Sequence, residues 1–141
     1  MPYSPLLIKP FKDEIVDAGV KELLTAADVD KVMALNGTTL VVVNSVCGCA
    51  AGVARPAIRK LMEDDSVKKP DRIVTVFAGQ DLEATAKFRS YIPDIPPSSP
   101  SIALFKDKEI VYFLPKFRIE SRDANAVYND IVSALEELVA G

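Results

Sequence analysis

Hydrophobic residues along this chain recur with two spacings, and the switching between them predicts an alternating α/β order. Val29, Val32, Met33 and Leu35 fall on one helical face behind Thr25-Ala26-Ala27-Asp28, a capping box with Asp in its acidic slot. Asn36-Gly37 ends that helix. From Thr38 to about Asn44 the chain is apolar on both faces, as expected of a strand in the middle of a covered sheet. Upstream, residues 1–9 read as a lead-in, Pro10 opens a helix to Asp17 or Ala18 with Gly19 as its stop, and Val20 to Leu24 reads as a short strand.

The pattern continues past the first strand pair. Ala50 to Met62 favours helix, and Pro56 should kink it because proline cannot donate to the helical ladder. Lys68-Lys69-Pro70-Asp71 is a loop, Arg72 to Ala78 is a strand, and Asp81 caps a helix to Tyr91 with Leu82, Thr85, Ala86 and Phe88 facing inward. Four prolines (Pro93, Pro96, Pro97, Pro100) constrain the next loop. Ser101–Lys106 and Glu109–Leu114 flank Asp107-Lys108 as a β-hairpin. Ser121 is the expected cap of a last helix, with Val127, Ile131, Leu135 and Leu138 inward. The order is α-β-α-β-α-β-α-β-β-α within one domain over residues 1–141, without repeats or linkers.

The chemistry concentrates where the central strand ends. Val41-Val42-Val43-Asn44-Ser45-Val46-Cys47-Gly48-Cys49-Ala50-Ala51-Gly52 delivers the chain's two cysteines to the start of a helix. Unpaired N–H groups and the partial positive charge of a first turn stabilise S⁻ over SH. Such placement lowers a thiol pKa from about 8.5 to roughly 3.5–7.5. Cys47, first in the pair, is the expected nucleophile and Cys49 the resolving thiol. Gly48 between them allows a tight backbone and open access. Only one residue separates the sulfurs, so closing a Cys47–Cys49 disulfide should require distortion and give a readily reduced bond. Two buried small hydrophobes, or a non-enzymatic module that holds a soft metal such as Cu(I), shares a metal between copies or senses redox state, are the competing readings of the pair.

Composition narrows the field. There is no histidine and no tryptophan, which removes Ser-His-Asp hydrolysis and every His-containing metal site. Seventeen basic and twenty acidic residues are interspersed, net charge -3, so no basic stripe suggests nucleic acid. No apolar run, Leu40 to Val43 included, approaches the roughly 18 residues that span a bilayer. Met1-Pro2-Tyr3-Ser4-Pro5 lacks the charged start and apolar core of a signal peptide, so a cytoplasmic location is expected. Nothing in the pattern specifies how many copies associate.

The element order, the cysteines after a central strand, the kinked helix and the proline loop resemble the thioredoxin fold. Ser99-Pro100-Ser101-Ile102-Ala103-Leu104-Phe105 is similar to the segment holding that fold's cis-proline, which implies a cis bond before Pro100 and a backbone beside the reactive cysteine where a disulfide partner pairs. More specifically, the block Gly37–Gly52, Arg55-Pro56-Ala57, Val74–Asp81 and Pro97–Ser101 resembles the bacilliredoxin family. That resemblance implies an oxidoreductase that removes bacillithiol from mixed disulfides on cytosolic proteins, with weak disulfide isomerase activity. Bacillithiol is then a thiol co-substrate, and no cofactor or metal is needed. Catalysis falls to Cys47 and Cys49, and substrate contacts are expected from Asn44, Gly48, Ser99 and Pro100. Family members often carry a histidine near Phe117–Arg122 and some a cysteine near the C-terminus; this chain has neither and ends Val139-Ala140-Gly141. Thioredoxins also keep a buried acid under the active site, where this chain has Val41 and Val42. A proton must then move through solvent, Cys49, Asn44 or the substrate.

Overall fold

The structure, a computed structural model, describes residues 3–138. Met1 and Pro2 of the expected lead-in and the Val139–Gly141 end lie outside the described residues. The elements are α1 (Pro5–Val16), β1 (Lys21–Glu22), α2 (Ala26–Met33), β2 (Thr38–Asn44), a π-helical turn (Ala50–Ala54), α3 (Arg55–Glu63), β3 (Arg72–Phe77), α4 (Leu82–Arg89), β4 (Ser101–Lys106), β5 (Glu109–Leu114), α5 (Phe117–Glu120) and α6 (Ala124–Leu138). The five strands form one sheet in the order β1-β3-β2-β4-β5. β1, β3 and β2 run parallel, and β4 and β5 return antiparallel. This is the mixed arrangement that the resemblance to the thioredoxin fold implies.

β2 is the centre because every one of its residues has a buried place to go. Leu40 and Val42 point into one core with Ile58, Leu61, Ile131 and Leu135 from α3 and α6. Val41 and Val43 point into the other with Val29, Val32 and Phe88 from α2 and α4. Alternate residues of a strand face opposite sides, so an unbroken apolar run requires helices on both. Each fully buried valine contributes about 1.5–3 kcal/mol. The hairpin turn is set by Asp107 and Lys108, both at positive φ (49° and 74°), the geometry that matches the twist of the flanking strands.

Several elements depart from expectation for local reasons. The first helix begins at Pro5 rather than Pro10: Pro5 sits in the first turn, where a missing N–H is no loss, and Pro10 lies inside. Pro10 forfeits a bond to the carbonyl of Leu6, a solvent-exposed residue that water can serve. β1 is only two residues long because the Asp28 carboxylate accepts from the N–H groups of Leu24 (3.1 Å) and Thr25 (3.3 Å), drawing the chain out of the sheet and into the capping box. Asp81 precedes α4 without capping it through its side chain and pairs instead with Lys12 at 2.8 Å. Leu82 and Ala86 face solvent, and Ala84 takes an inward position beside Thr85 and Phe88. Ser121 closes α5 by donating to the Phe117 carbonyl (3.3 Å), while Asp123 accepts from Ala126 N–H (2.8 Å) at the start of α6.

One end of the sheet gathers four connections. β2 and β3 finish there and β4 begins there, since Val43 lies opposite Ser101 and Asn44 opposite Phe77. β5 finishes there too, because Leu114 lies opposite Ile102. Residues 45–49, 78–79, 98–100 and 115–116 are thereby neighbours.

Candidate active site

The cysteine loop is built on hydrogen bonds from the end of β2. Asn44 is buried; its Oδ1 accepts from Ser45 N–H (2.8 Å) and its Nδ2 donates to the Phe11 carbonyl (3.1 Å). Ser45 Oγ then accepts from Cys47 N–H at 3.0 Å. Helical backbone starts at Gly48, and the Cys47 carbonyl takes the first bonds, from Ala50 N–H (2.9 Å) and Ala51 N–H (3.2 Å). Cys47 therefore stands at the positive end of the helix, where a thiolate is favoured.

The kink expected at Pro56 is realised as a wide turn one residue ahead of it. Arg55 N–H reaches back five residues to the Ala50 carbonyl, and Pro56 enters the first turn of α3, where its missing N–H costs little. The inserted turn carries Arg55 inward, leaving its side chain 2% exposed. Its guanidinium donates to Asn44 Oδ1 (3.0 Å), the Ser45 carbonyl (2.8 Å) and Glu14 Oε1 (2.8 Å), and lies 5.0 Å from the Phe11 ring centroid. A charge taken out of water must be paired and hydrogen-bonded, and this one is. The chain thus buries a cation tied to the reactive loop.

The two sulfurs differ. Both thiols are free and partly buried. A hydrogen bond from the Cys49 thiol, joined by the N–H groups of Cys49 and Ala50 and the charge of Lys116, draws the Cys47 pKa below the ordinary 9.0 against the opposing effect of burial. Cys49 packs against the core, and burial, followed by its interaction with Cys47, pushes its pKa up to about 11. Cys47 is thus the sulfur that ionises first, with Cys49 as its donor.

Cys47 opens onto a groove of about 330 Å³ that it shares with Ser99, Arg89 and Lys116, and Cys49 does not line it. The Ser99–Pro100 peptide bond is cis. Pro100 is buried behind Ser99, and Ser101, also buried, donates from its hydroxyl to the Ser98 carbonyl at 3.0 Å as a loop cap. Arg89 reaches the same carbonyl at 3.4 Å.

Of the residues expected at the site, Cys47, Cys49, Gly48, Ser99 and Pro100 come together at this end of the sheet. Asn44 does not face substrate: it is 2% exposed and both its amide atoms are engaged, so it holds the loop from beneath. Gly48 needs no glycine-only backbone, and a Cβ there would meet nothing within 4 Å, so what it supplies is open space beside the sulfur. Sequence reasoning missed Arg55, Glu14, Arg89 and Lys116. Arg55-Pro56 at a predicted kink was a signal of sorts; nothing local marks the other three. Among the described residues no group of three or more His, Cys, Asp or Glu side chains could hold a metal ion. No helix among them is long and apolar enough to cross a membrane.

Known proteins sharpen the picture. The disulphide isomerase family profile matches residues 3–139. The chain is 52% identical over 136 residues to a bacilliredoxin of Geobacillus kaustophilus, covering 96% of this chain and 93% of that one. Mitochondrial thioredoxin 3 of Saccharomyces cerevisiae, in its oxidised form, superposes with a TM-score of 0.57 at 14% identity, covering 86% of this chain and 99% of that one. A thioredoxin of Fasciola hepatica gives 0.56 at 20% identity over 81% and 97%. The two thioredoxins share the fold.

Proposed function

The chain belongs to the bacilliredoxin family and is a thiol–disulfide oxidoreductase, and we propose that it strips bacillithiol from proteins, with Cys47 attacking and Cys49 resolving. The Cys47 thiolate attacks the bacillithiol sulfur of a protein mixed disulfide. The protein–bacillithiol S–S bond breaks, a Cys47–bacillithiol S–S bond forms, and the protein leaves as a thiolate that solvent protonates. Cys49, once deprotonated, can then attack the Cys47 sulfur, releasing bacillithiol as a thiolate and leaving a Cys47–Cys49 disulfide. Alternatively, a second bacillithiol can attack the bacillithiol sulfur of the adduct, freeing the Cys47 thiolate and leaving as the symmetrical disulfide. Either route balances without an added oxidant or metal.

The observation that carries this reading is the asymmetry of the two sulfurs. Cys47 lines the groove and has a lowered pKa, whereas Cys49 lies against the core with its pKa pushed up to about 11. Attack by a thiol is fastest when its pKa is near ambient pH. Ser99 beside the sulfur and the open face at Gly48 would receive the substrate's flanking atoms. The relatives' family name agrees with a cytoplasmic setting. General disulfide isomerisation is the close alternative, favoured by the description of the matching family.

The test is transfer from a bacillithiolated protein. Cys47→Ser should abolish it, and Cys49→Ser should accumulate a Cys47–bacillithiol adduct visible by intact mass. Retained transfer in Cys47→Ser, with loss in Cys49→Ser, would reverse the roles. Faster turnover of a scrambled protein disulfide than of the bacillithiolated one would favour isomerisation.

A further inference from the structure

The groove at Cys47 is lined by two cations, Arg89 and Lys116, and by no carboxylate, although the chain as a whole carries a net charge of -3. Neither cation forms an ion pair among the described residues, whereas Arg55, Arg59, Arg118 and Arg122 each do. Arg89 is also partly desolvated: burial lowers its pKa, and its one hydrogen-bond acceptor is the neutral Ser98 carbonyl at 3.4 Å. A guanidinium has five donors in a fixed fork suited to carboxylates, so most of its capacity is unused. Lys116 acts on both sulfurs, but Arg89 is not among the groups that set either thiol pKa. Its charge is left for something that enters the groove.

We propose that Arg89 and Lys116 form an anion subsite that receives the carboxylates of the small-thiol half of the mixed disulfide, so that the protein selects carboxylate-bearing low-molecular-weight thiols. This rests on Cys47 being the attacking sulfur, because that step leaves the small thiol bonded to Cys47 inside the groove. A volume of about 330 Å³ suits such a molecule and not a folded chain. Arg89 and Lys116 are here specificity-determining residues; the bond exchange is the one already described.

The experiment compares reaction of the reduced full chain with two small disulfides, dithionitrobenzoate, which carries carboxylates, and dithiodipyridine, which is neutral. The readout is the ratio of the two rate constants, which cancels a general change in thiol reactivity. Arg89→Gln should lower that ratio about fivefold, the upper end for one exposed ion pair, and rising salt should lower it in the wild type. Lys116→Gln should lower it as well, and Arg89→Lys should largely restore it. Lys68→Gln, in the loop before β3 at the opposite end of the sheet, should leave it where it was. An unchanged ratio in Arg89→Gln, or an Arg89→Lys ratio as low as that of Arg89→Gln, would overturn the subsite. Persistence of both reactions in Cys47→Ser would instead overturn the assignment of the attacking sulfur. Peptide disulfides capped with a neutral thiol provide the last arm. Equal rates for Glu-flanked and Gln-flanked cysteines are expected, and an Arg89-dependent preference for Glu would assign the cations to the polypeptide half.

Discussion

Glu14→Gln is the most informative single change, because it removes a charge without changing shape. The Arg55 side chain is 2% exposed and Glu14 23% exposed, with Nε and Oε1 2.8 Å apart. Breaking a buried pair costs about 3–5 kcal/mol, most of it from the charge left behind. Two features moderate this: Glu14 is partly solvated, and Arg55 keeps its neutral acceptors, Asn44 Oδ1 and the Ser45 carbonyl. We therefore expect a loss of about 2–3 kcal/mol, or roughly 6–10 °C in Tm for a chain of this size. Arg59 provides the internal comparison. It bonds the other Glu14 oxygen at 3.2 Å but is 46% exposed, so Arg59→Gln should cost below about 1 kcal/mol. Replacing the pair together, Glu14→Leu with Arg55→Met, removes the stranded charge and should be at least as stable as Glu14→Gln alone. Urea unfolding followed by far-UV circular dichroism measures all of these, the chain having no tryptophan. A Glu14→Gln loss no larger than that of Arg59→Gln would refute the view that a desolvated ion pair anchors the cysteine loop.

Cys49→Ala removes the donor that most lowers the Cys47 pKa, so the pH profile of Cys47 alkylation should move to higher pH and the rate at neutral pH should fall, by less than the thiolate fraction because the remaining thiolate is more nucleophilic. Gly37 and Gly48 should respond oppositely to alanine. Gly37 has φ +93° and its Cβ would strike the Asp71 carboxylate that accepts from Thr38 N–H, so Gly37→Ala should lose about 2 kcal/mol or more, whereas Gly48→Ala should be neutral to about 1 kcal/mol stabilising by thermal unfolding. Asp64, held at about 2 by hydrogen bonds from Ser66 and then Tyr128, gives a pH test. Its folded pKa lies below the ordinary 3.8, so its stabilisation is complete above that value and fades as pH falls toward 2. Tyr128→Phe should raise the Asp64 pKa in an NMR titration and flatten that acid loss; an unmoved pKa would remove Tyr128 from the interaction.

Much of the fold was legible because the informative signals are local. The bounds of β2 and of the hairpin followed from apolar runs and turn residues, and the Thr25–Asp28 box formed as read, since a cap needs only four consecutive residues. Local reasoning failed where a distant group competed. Asp81 has the chemistry of a cap but takes Lys12, and Asn44 has the chemistry of a substrate contact but takes Phe11, Ser45 and Arg55.

The chain's own order of residues was enough to establish a covered β-strand handing two thiols to a helix start, and with it the redox chemistry and the family. Only the tertiary structure decided which thiol faces solvent, which charge lies beneath it and which cations flank it. Those depend on α1, α4 and the segment after β5 converging on one end of the sheet. Glu14, Arg89 and Lys116 lie 33, 42 and 69 positions from Cys47 along the chain. Electrostatic influence depends on distance through space and on how much water lies between, and neither is encoded in separation along the sequence.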